Sequence, residues 1–336
     1  MKKKLQTCLG RIEVNKKHPI GQVKGPFGIS EKLQEIICSV GQSSVFEDGE
    51  EMVKEMMGVD ISAKQIQRVS EYYGAQIENQ IETNNPKVIP ELQVKGKHDP
   101  MYLMLDGSMV YTRDDGWKEM KLSRMFYGSQ NVQIQQDRSQ IASSVYVSHL
   151  GNNVDFFYKL ERYLIPYKNK VVIADGAKWI WNWVEDNYPG AVQILDFYHA
   201  LEKLGQFSSH QFKQTEQRSQ WMEEQKQRLL ENEVDKVVEV IISLKPKNAE
   251  AKRAKEDVVR YYRDHEDRMQ YKTYRLAGLL IGSGPIESAH RNVIQQRLKL
   301  SGQRWSIVGA QRIANLRTMK KSANWSAVID LITNAA

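Results

Sequence analysis

Apolar residues recur along this chain at two spacings, and the change from one to the other divides it into segments. After Ser30, a residue suited to cap a helix, Leu33, Ile36, Ile37 and Val40 fall on one helical face. Val45, Met52, Val53, Met56 and Met57 extend a second helix to a turn at Gly58-Val59-Asp60. Ser62 followed by Gln65 forms a capping box, and Ile66, Val69 and Tyr73 give a third helix its buried stripe. Helix, glycine turn, helix is the pattern of a helix-turn-helix, which places Lys64, Gln65, Gln67 and Arg68 where such motifs meet base edges and phosphates. A plain three-helix packing unit would carry the same pattern.

A polar stretch from Thr83 to Pro100 holds three prolines and reads as a linker. From Met101 the grammar is that of strands. Met101 to Thr112 is apolar and β-prone, Asp114-Asp115-Gly116 is a hairpin turn, and Trp117 to Tyr127 returns. Ser144 to His149 predicts a third strand and Asn153 to Tyr167 an amphipathic helix. Val171 to Ala174 and Val192 to Leu195 predict two further strands, with a helix bearing Trp179, Trp181 and Trp183 between them. After His199 the strand signals stop: 201–280 reads as helix throughout, broken at Pro246. The turn Gly282-Ser283-Gly284-Pro285 then feeds a helix from Ile286 to Leu298, and Ser306 to Lys320 and Ser326 to Thr333 are helical. Antiparallel strands followed by alternating helix and strand define an α/β class with a mixed sheet core.

Three of the strand runs end in an aspartate: Asp106, Asp175 and Asp196. Each alone reads equally as a turn or a helix cap. In open α/β sheets, however, chemistry collects beyond strand ends, where residues distant in sequence converge. Carboxylates gathered there repel one another unless a divalent cation sits between them, and oxygen ligands favour Mg²⁺ or Mn²⁺. Glu287, in the first turn of the helix after Pro285, supplies a further ligand, with His290 beside it. The three tryptophans invite base stacking, but residues two apart on a helix point in different directions, so at least one of them belongs to the core; His210 and His265 fall on charged, solvent-facing helices and need no special role.

Composition adds one locator. The chain of 336 residues carries 48 Lys and Arg against 41 Asp and Glu, a net charge of +7. From Ser288 onward there are eight basic residues (Arg291, Arg297, Lys299, Arg304, Arg312, Arg317, Lys320, Lys321) and one acid, Asp330, so the whole excess follows Glu287. That places an anionic partner such as a phosphate backbone beside the acids. With 2 cysteines, Cys8 and Cys38, no disulfide framework or four-cysteine zinc site can form. No apolar run reaches the roughly 18–20 residues of a membrane span, and the basic start lacks the apolar core of a signal peptide. A cytoplasmic, nucleoid-associated protein without membrane partners is expected.

The runs Leu105-Asp106-Gly107 through Trp117, Ile173-Ala174-Asp175 through Trp181, Asp196-Phe197-Tyr198-His199, and Gly284-Pro285-Ile286-Glu287 through His290 occur in an order that resembles the bacterial ISKra-type insertion-sequence transposases. These are DDE enzymes related to the Mutator group. The resemblance spans about 30–320. It implies a ribonuclease-H-like core interrupted by an all-helical insertion, behind an N-terminal helix-turn-helix domain. Asp106 is then similar to the first catalytic aspartate, on the first core strand. Asp175 is similar to the second, after the fourth strand, and Glu287 to the glutamate following the insertion. Together these three hold two Mg²⁺ or Mn²⁺ ions. Asp196, His199 and His290 fall behind them as supporting or DNA-positioning residues, and Lys64, Gln65, Gln67, Arg68, Arg291, Arg297, Lys299 and Arg304 as DNA contacts. The Cys-rich, zinc-ribbon-like segment that members often carry is reduced here to Cys8.

The resulting organisation is an irregular leader at 1–29, a helical DNA-binding domain at 30–82, and a linker at 83–100. The first part of the core follows at 101–200, the helical insertion at 201–280, and the core helix with its basic tail at 281–336. The expected activity is metal-dependent cleavage and joining of the ends of an insertion sequence. Its partners are double-stranded terminal repeats and target DNA, bound by a homo-oligomer. Two alternatives share these features: an inactive or domesticated DNA-binding protein, and a nuclease that cuts without joining.

Overall fold

The computed structural model describes residues 2–7, 10–15, 26–92, 96, 98–135, 138–164 and 169–334. At the N-terminus β1 (Lys2–Thr7) and β2 (Gly10–Asn15) pair antiparallel as a separate two-stranded sheet. Cys8 lies outside the described residues. Three helices follow: α1 (Glu31–Ser43), α2 (Phe46–Met57) and α3 (Ala63–Glu82). The capping residues act as their chemistry predicts. Ser30 accepts from the Leu33 N–H, Ser62 accepts from the Gln65 N–H, and Gly58 ends α2 in the left-handed region at φ 62°.

The central sheet contains β3 (Met101–Thr112), β4 (Gly116–Tyr127), β7 (Val145–Leu150), β8 (Lys170–Ala174) and β9 (Val192–Leu195), in the order β7-β4-β3-β8-β9. The hairpin β3–β4 and the β4–β7 pair are antiparallel, whereas β3–β8 and β8–β9 are parallel. Parallel neighbours need crossovers, and α4 (Asn153–Leu164) and α5 (Lys178–Asn187) supply helices for them. This is a mixed-sheet α/β architecture. Between β4 and β7 the chain forms an additional small antiparallel hairpin, β5 (Asn131–Gln135) with β6 (Arg138–Ile141). Residues 165–168, at the expected end of α4, lie outside the described residues.

From β9 the chain is helical: α6 (Phe197–Gln211), α7 (Thr215–Leu230), α8 (Val234–Ser243), α9 (Ala249–His265) and α10 (Tyr271–Leu276). The helix expected at 286–298 is made of three pieces. These are α11 (Gly284–Ala289), a π-helical stretch His290–Gln295, and α12 (Gln296–Leu298). Two final helices are α13 (Ile307–Lys321) and α14 (Trp325–Asn334). No described helix is long and apolar enough to cross a membrane.

The N-terminal helices pack on the C-terminal ones. A Cβ placed on Gly74 of α3 would fall 2.2 Å from the Arg312 carbonyl oxygen of α13, so the two backbones touch. Asn315 of α13 donates to the Gly74 carbonyl at 3.0 Å, and Lys159 of α4 donates to both Glu78 (2.8 Å) and Asn315 (2.9 Å). The polar stretch after Thr83 is pinned as well. Val88 and Leu92 are buried, and Asn324 donates to the carbonyls of Lys87 and Val88.

Candidate functional site

Strand register gathers the acids. Met104 of β3 pairs with Ile173 of β8, and Ile173 with Ile194 of β9. Asp106, Asp175 and Asp196 each lie two residues beyond that row, so the parallel alignment delivers three aspartates to one edge of the sheet. Neighbouring strands sit about 4.8 Å apart, which sets the scale of the constellation.

Asp196 is fully buried and caps α6, accepting from the Tyr198 N–H at 2.9 Å. Its other oxygen lies 2.6 Å from His199 Nδ1 and also accepts from the Ser283 hydroxyl. Burial would push the Asp196 carboxyl upward, but the hydrogen bonds from His199, Ser283 and Tyr198 outweigh it and leave the pKa lowered. His199 is raised to about 9, first by the hydrogen bond to Asp196 and also by the negative charges of Asp196, Asp175 and Glu202.

The segment leading to α11 is fastened to the same strand end. Phe197 N–H donates to the Ile281 carbonyl at 2.9 Å, and Ser283 bonds Asp196. Glu287 is thereby brought over the end of β9. Asp196, His199 and Glu287 place one potential ligand atom each within 4.8 Å of the other two, a set able to hold a metal ion. The sequence reading expected Asp106, Asp175 and Glu287 as the ligand set, with Asp196 and His199 behind them. Among the described residues, the group that meets at this distance is instead the Asp196–His199–Glu287 one; the strap before α11 is bonded to the end of β9 through Ile281 and Ser283 and to Tyr102 of β3 through the Leu280 N–H.

Asp106 and Asp175 border this group and are felt electrically. Asp106 is pushed up to about 6, by burial first and also by the charges of Asp175 and Glu287, against the lowering effects of the Gly107 N–H and His199. Its Oδ1 accepts from Gly107 N–H at 2.7 Å, and Oδ2 lies 3.5 Å from His290 Nε2. His290 is buried and lowered to about 4, mainly by desolvation, so it faces Asp106 as a neutral ring at physiological pH. The Glu119 side chain packs against Gly107, where a Cβ would fall 2.1 Å from its Oε1 and displace it.

Asp175 is held from the other side. Its Oδ1 accepts from the Ala177 N–H at 3.0 Å, and its carbonyl accepts from the Trp181 indole N–H at 2.6 Å. Tyr261 of α9 lies against Gly176, where a Cβ would come 2.2 Å from the ring, so the helical segment packs directly on the Asp175 turn. Several sequence expectations change here. Trp181 and Trp183 are buried, with Trp183 stacked on Phe157 at 4.2 Å, and Trp179 packs on Phe156 and Phe157. Trp181 and Trp183 are thus core, as their spacing predicts for at least one of the three, and Trp179 is half-buried against the phenylalanines. His265, expected on a solvent face, is buried between Trp181 and Tyr261, with its pKa lowered chiefly by desolvation. His210 is exposed.

The basic side chains separate into two kinds. Lys64, Arg68, Arg291, Lys299 and Arg304 are exposed, and Gln65 and Gln67 are half-buried, Gln67 donating to Glu71 at 2.7 Å. Arg297 is a correction to the predicted DNA contacts. It is 1% exposed, its guanidinium lies 4.7 Å from the Phe46 ring and 4.8 Å from the Trp305 ring, and its Nε donates to the Gly41 carbonyl. Arg317 is likewise buried, donating to the carbonyls of Val293, Gln42 and Asn292. Two of the eight charges in the basic tail therefore join the N-terminal helices to the rest of the chain.

Sequence reasoning missed Ser283, Trp181 and Tyr261 as residues that position the acids. A hydroxyl next to Gly284-Pro285 and an aromatic one helical turn beyond Ala177 were visible, but their partners are distant or are backbone atoms that no side-chain pattern records. The chain matches none of the curated proteins with which it was compared. It does match, over residues 29–329, the family described as uncharacterised protein family UPF0236. That span takes in α1 to α13, the first half of α14 and every acid of the site, and the chain belongs to the UPF0236 family.

Proposed function

We propose that this protein is a DDE-type DNA transposase with a ribonuclease-H-like core, cutting the ends of its own element and joining them to target DNA. The observation that carries this reading is the shared register of Asp106, Asp175 and Asp196 at one sheet edge, with Glu287 delivered to the same place from beyond the helical segment. Asp106 on the first and Asp175 after the fourth strand of the five-stranded sheet, counted without the β5–β6 hairpin, agree with the positions the family resemblance implies. The α2–turn–α3 pair, with Lys64 and Arg68 exposed, supports a helix-turn-helix role in DNA contact.

The residues fit a divalent metal. Four carboxylates and an imidazole offer hard and borderline donors, and the mutual repulsion expressed at Asp106 is what a bound cation would relieve. Glu287 with Asp196 and His199, bordered by Asp106 and Asp175, would hold Mg²⁺ or Mn²⁺. Ions there supply Lewis-acid stabilisation of the attacking and leaving oxygens in phosphodiester chemistry. The chain's own contribution is positional: Trp181 and Ala177 fix Asp175, Gly107 fixes Asp106 with the His290 ring alongside, and Ser283 fixes Asp196.

Incubation of the full chain with Mg²⁺ or Mn²⁺ and DNA carrying its element ends should give nicked ends and joined products. Binding without cleavage would favour a domesticated DNA-binding protein, and cleavage without joined product a nuclease; either result would overturn the transposase reading.

A further inference from the structure

Among the described residues, three arginines are buried without a salt-bridging acid: Arg124, Arg297 and Arg317. Arg317 is spent on backbone carbonyls, and the cavity beside Arg297 is also lined by Glu47 and Glu71. Arg124 differs, because it opens on a cavity of about 450 Å³ whose described lining contains no Asp or Glu. The cavity lies between the β5–β6 hairpin and the outer side of α11. Asn131, Gln140, Ser288 and Asn292 supply its polar wall.

Arg124 is rigidly built. It is 8% exposed, donates through Nε to Ser144 Oγ at 2.9 Å and through a terminal nitrogen to the Pro285 carbonyl at 2.8 Å, and lies over the Phe126 and Tyr146 rings. A guanidinium removed from water without a counter-ion is costly, and neutral acceptors offset only part of that cost. Burial lowers its pKa accordingly. The surrounding amides and hydroxyls are neutral donors, so nothing in the described lining repels an anion. A planar guanidinium with fixed N–H directions suits a phosphate group.

We propose that this cavity is a phosphate-binding subsite in which a phosphodiester of the DNA strand docks on Arg124, with Asn131, Gln140 and Asn292 as neutral donors. The inference rests on the DNA reading above for its occupant. Because Arg124 also holds the Pro285 carbonyl, two residues before Glu287, an occupied subsite braces the helix that carries the glutamate.

The test uses the full chain and two probes, labelled duplex DNA over a salt series and inorganic pyrophosphate by calorimetry. Asn292→Asp and Gln140→Glu place a negative charge on the rim without touching the buried guanidinium, and Arg124→Gln removes it. Each rim variant should melt like the parent, weaken duplex binding by about five-fold or more, and flatten the salt slope by about one. Duplex affinity and slope equal to the parent in all three variants would overturn the DNA assignment. Pyrophosphate binding lost in the rim variants, with DNA binding unchanged, would assign the subsite to a free phosphate compound instead. If the parent binds no DNA, the functional reading fails; loss of pyrophosphate binding in the rim variants would still support the subsite, and no pyrophosphate binding would overturn it too.

Discussion

His199 holds Nδ1 2.6 Å from Oδ2 of Asp196, a pair formed by residues three apart at the first turn of α6. The hydrogen bond raises His199 to about 9 from 6.5, so the folded protein keeps a proton that the unfolded chain loses. Stability from this pair is full below about pH 6.5 and drains away as pH rises to about 9. On the acid side Asp196, with its lowered pKa, contributes above the ordinary carboxylate range and loses that contribution as pH falls through it. Asp196→Asn should return the His199 titration, followed by NMR of the ring, close to 6.5. A value still near 9 in the variant would assign the shift to another partner.

Asp106 carries the opposite sign. Its pKa is raised from 3.8 to about 6, chiefly by burial, so its ionised form opposes folding progressively as pH climbs through that interval. Asp106→Asn, which can still accept from Gly107, should stabilise the metal-free protein at pH 7 by about 1–3 kcal/mol while abolishing cleavage. Thermal melts at pH 5 and pH 7.5 check this, the gain being small at the lower pH and larger at the higher. Equal melting curves for parent and variant at both values would refute it.

Asp175 and Asp196 were legible because the apolar runs of β8 and β9 stop just before them; Asp106 instead lies inside β3, whose antiparallel pairing with β4 carries the strand on to Thr112, and it joins the other two because the parallel pairing of β3 with β8 stops at Met104. The β5–β6 hairpin was not, because Asn131 to Ile141 is mostly polar and much of its described surface is exposed, leaving no alternation to find. Net charge located a basic tail correctly in sequence, but it could not reveal that Phe46, some 250 positions earlier, closes over Arg297. The identity of the metal-distance group also escaped the sequence, since it depends on how the bonds of Phe197, Ser283 and Tyr102 seat the segment before Glu287.

Trp181 positions Asp175 through a single backbone hydrogen bond. Trp181→Phe keeps an aromatic ring beneath Arg268, whose guanidinium lies 4.7 Å from the indole, but removes the N–H together with part of the buried ring. The expected stability loss is about 2–4 kcal/mol, the net worth of one buried hydrogen bond plus the cost of the space left behind. Turnover should fall while the apparent affinity for DNA stays constant, which single-turnover cleavage at saturating DNA would measure. A parallel loss of DNA affinity would show the residue acting on the fold rather than on Asp175.

Arg297 and its neighbours on the basic tail should behave differently. Arg297→Ala empties a space between Phe46 and Trp305 and should cost about 3 kcal/mol, whereas Arg297→Met refills it and should cost far less. Neither folded variant should change the salt dependence of DNA binding. Neutralising exposed Arg291 and Lys299 together should weaken binding and lower the salt slope by close to one for each phosphate left without its cation. Anisotropy titrations at several salt concentrations separate the two cases, and a reduced slope in Arg297→Met would return that residue to the DNA-binding surface.

Gly74 tests whether the helices at 30–82 depend on the C-terminal helix for their stability. In an isolated helix, replacing an interior glycine by alanine is favourable by roughly 0.5–1 kcal/mol, because it restricts the unfolded chain. Here the added methyl would meet the Arg312 backbone at 2.2 Å, and backbone cannot rotate away as a side-chain tip would. Overpacking of this kind costs about 1–3 kcal/mol. Gly74→Ala should therefore lower the melting temperature by several degrees, with α3 displaced from α13 and the Asn315 bond to the Gly74 carbonyl weakened. If 30–82 swings as a separate unit in solution, the same substitution would raise the melting temperature, so the sign of one thermal shift decides between the two arrangements.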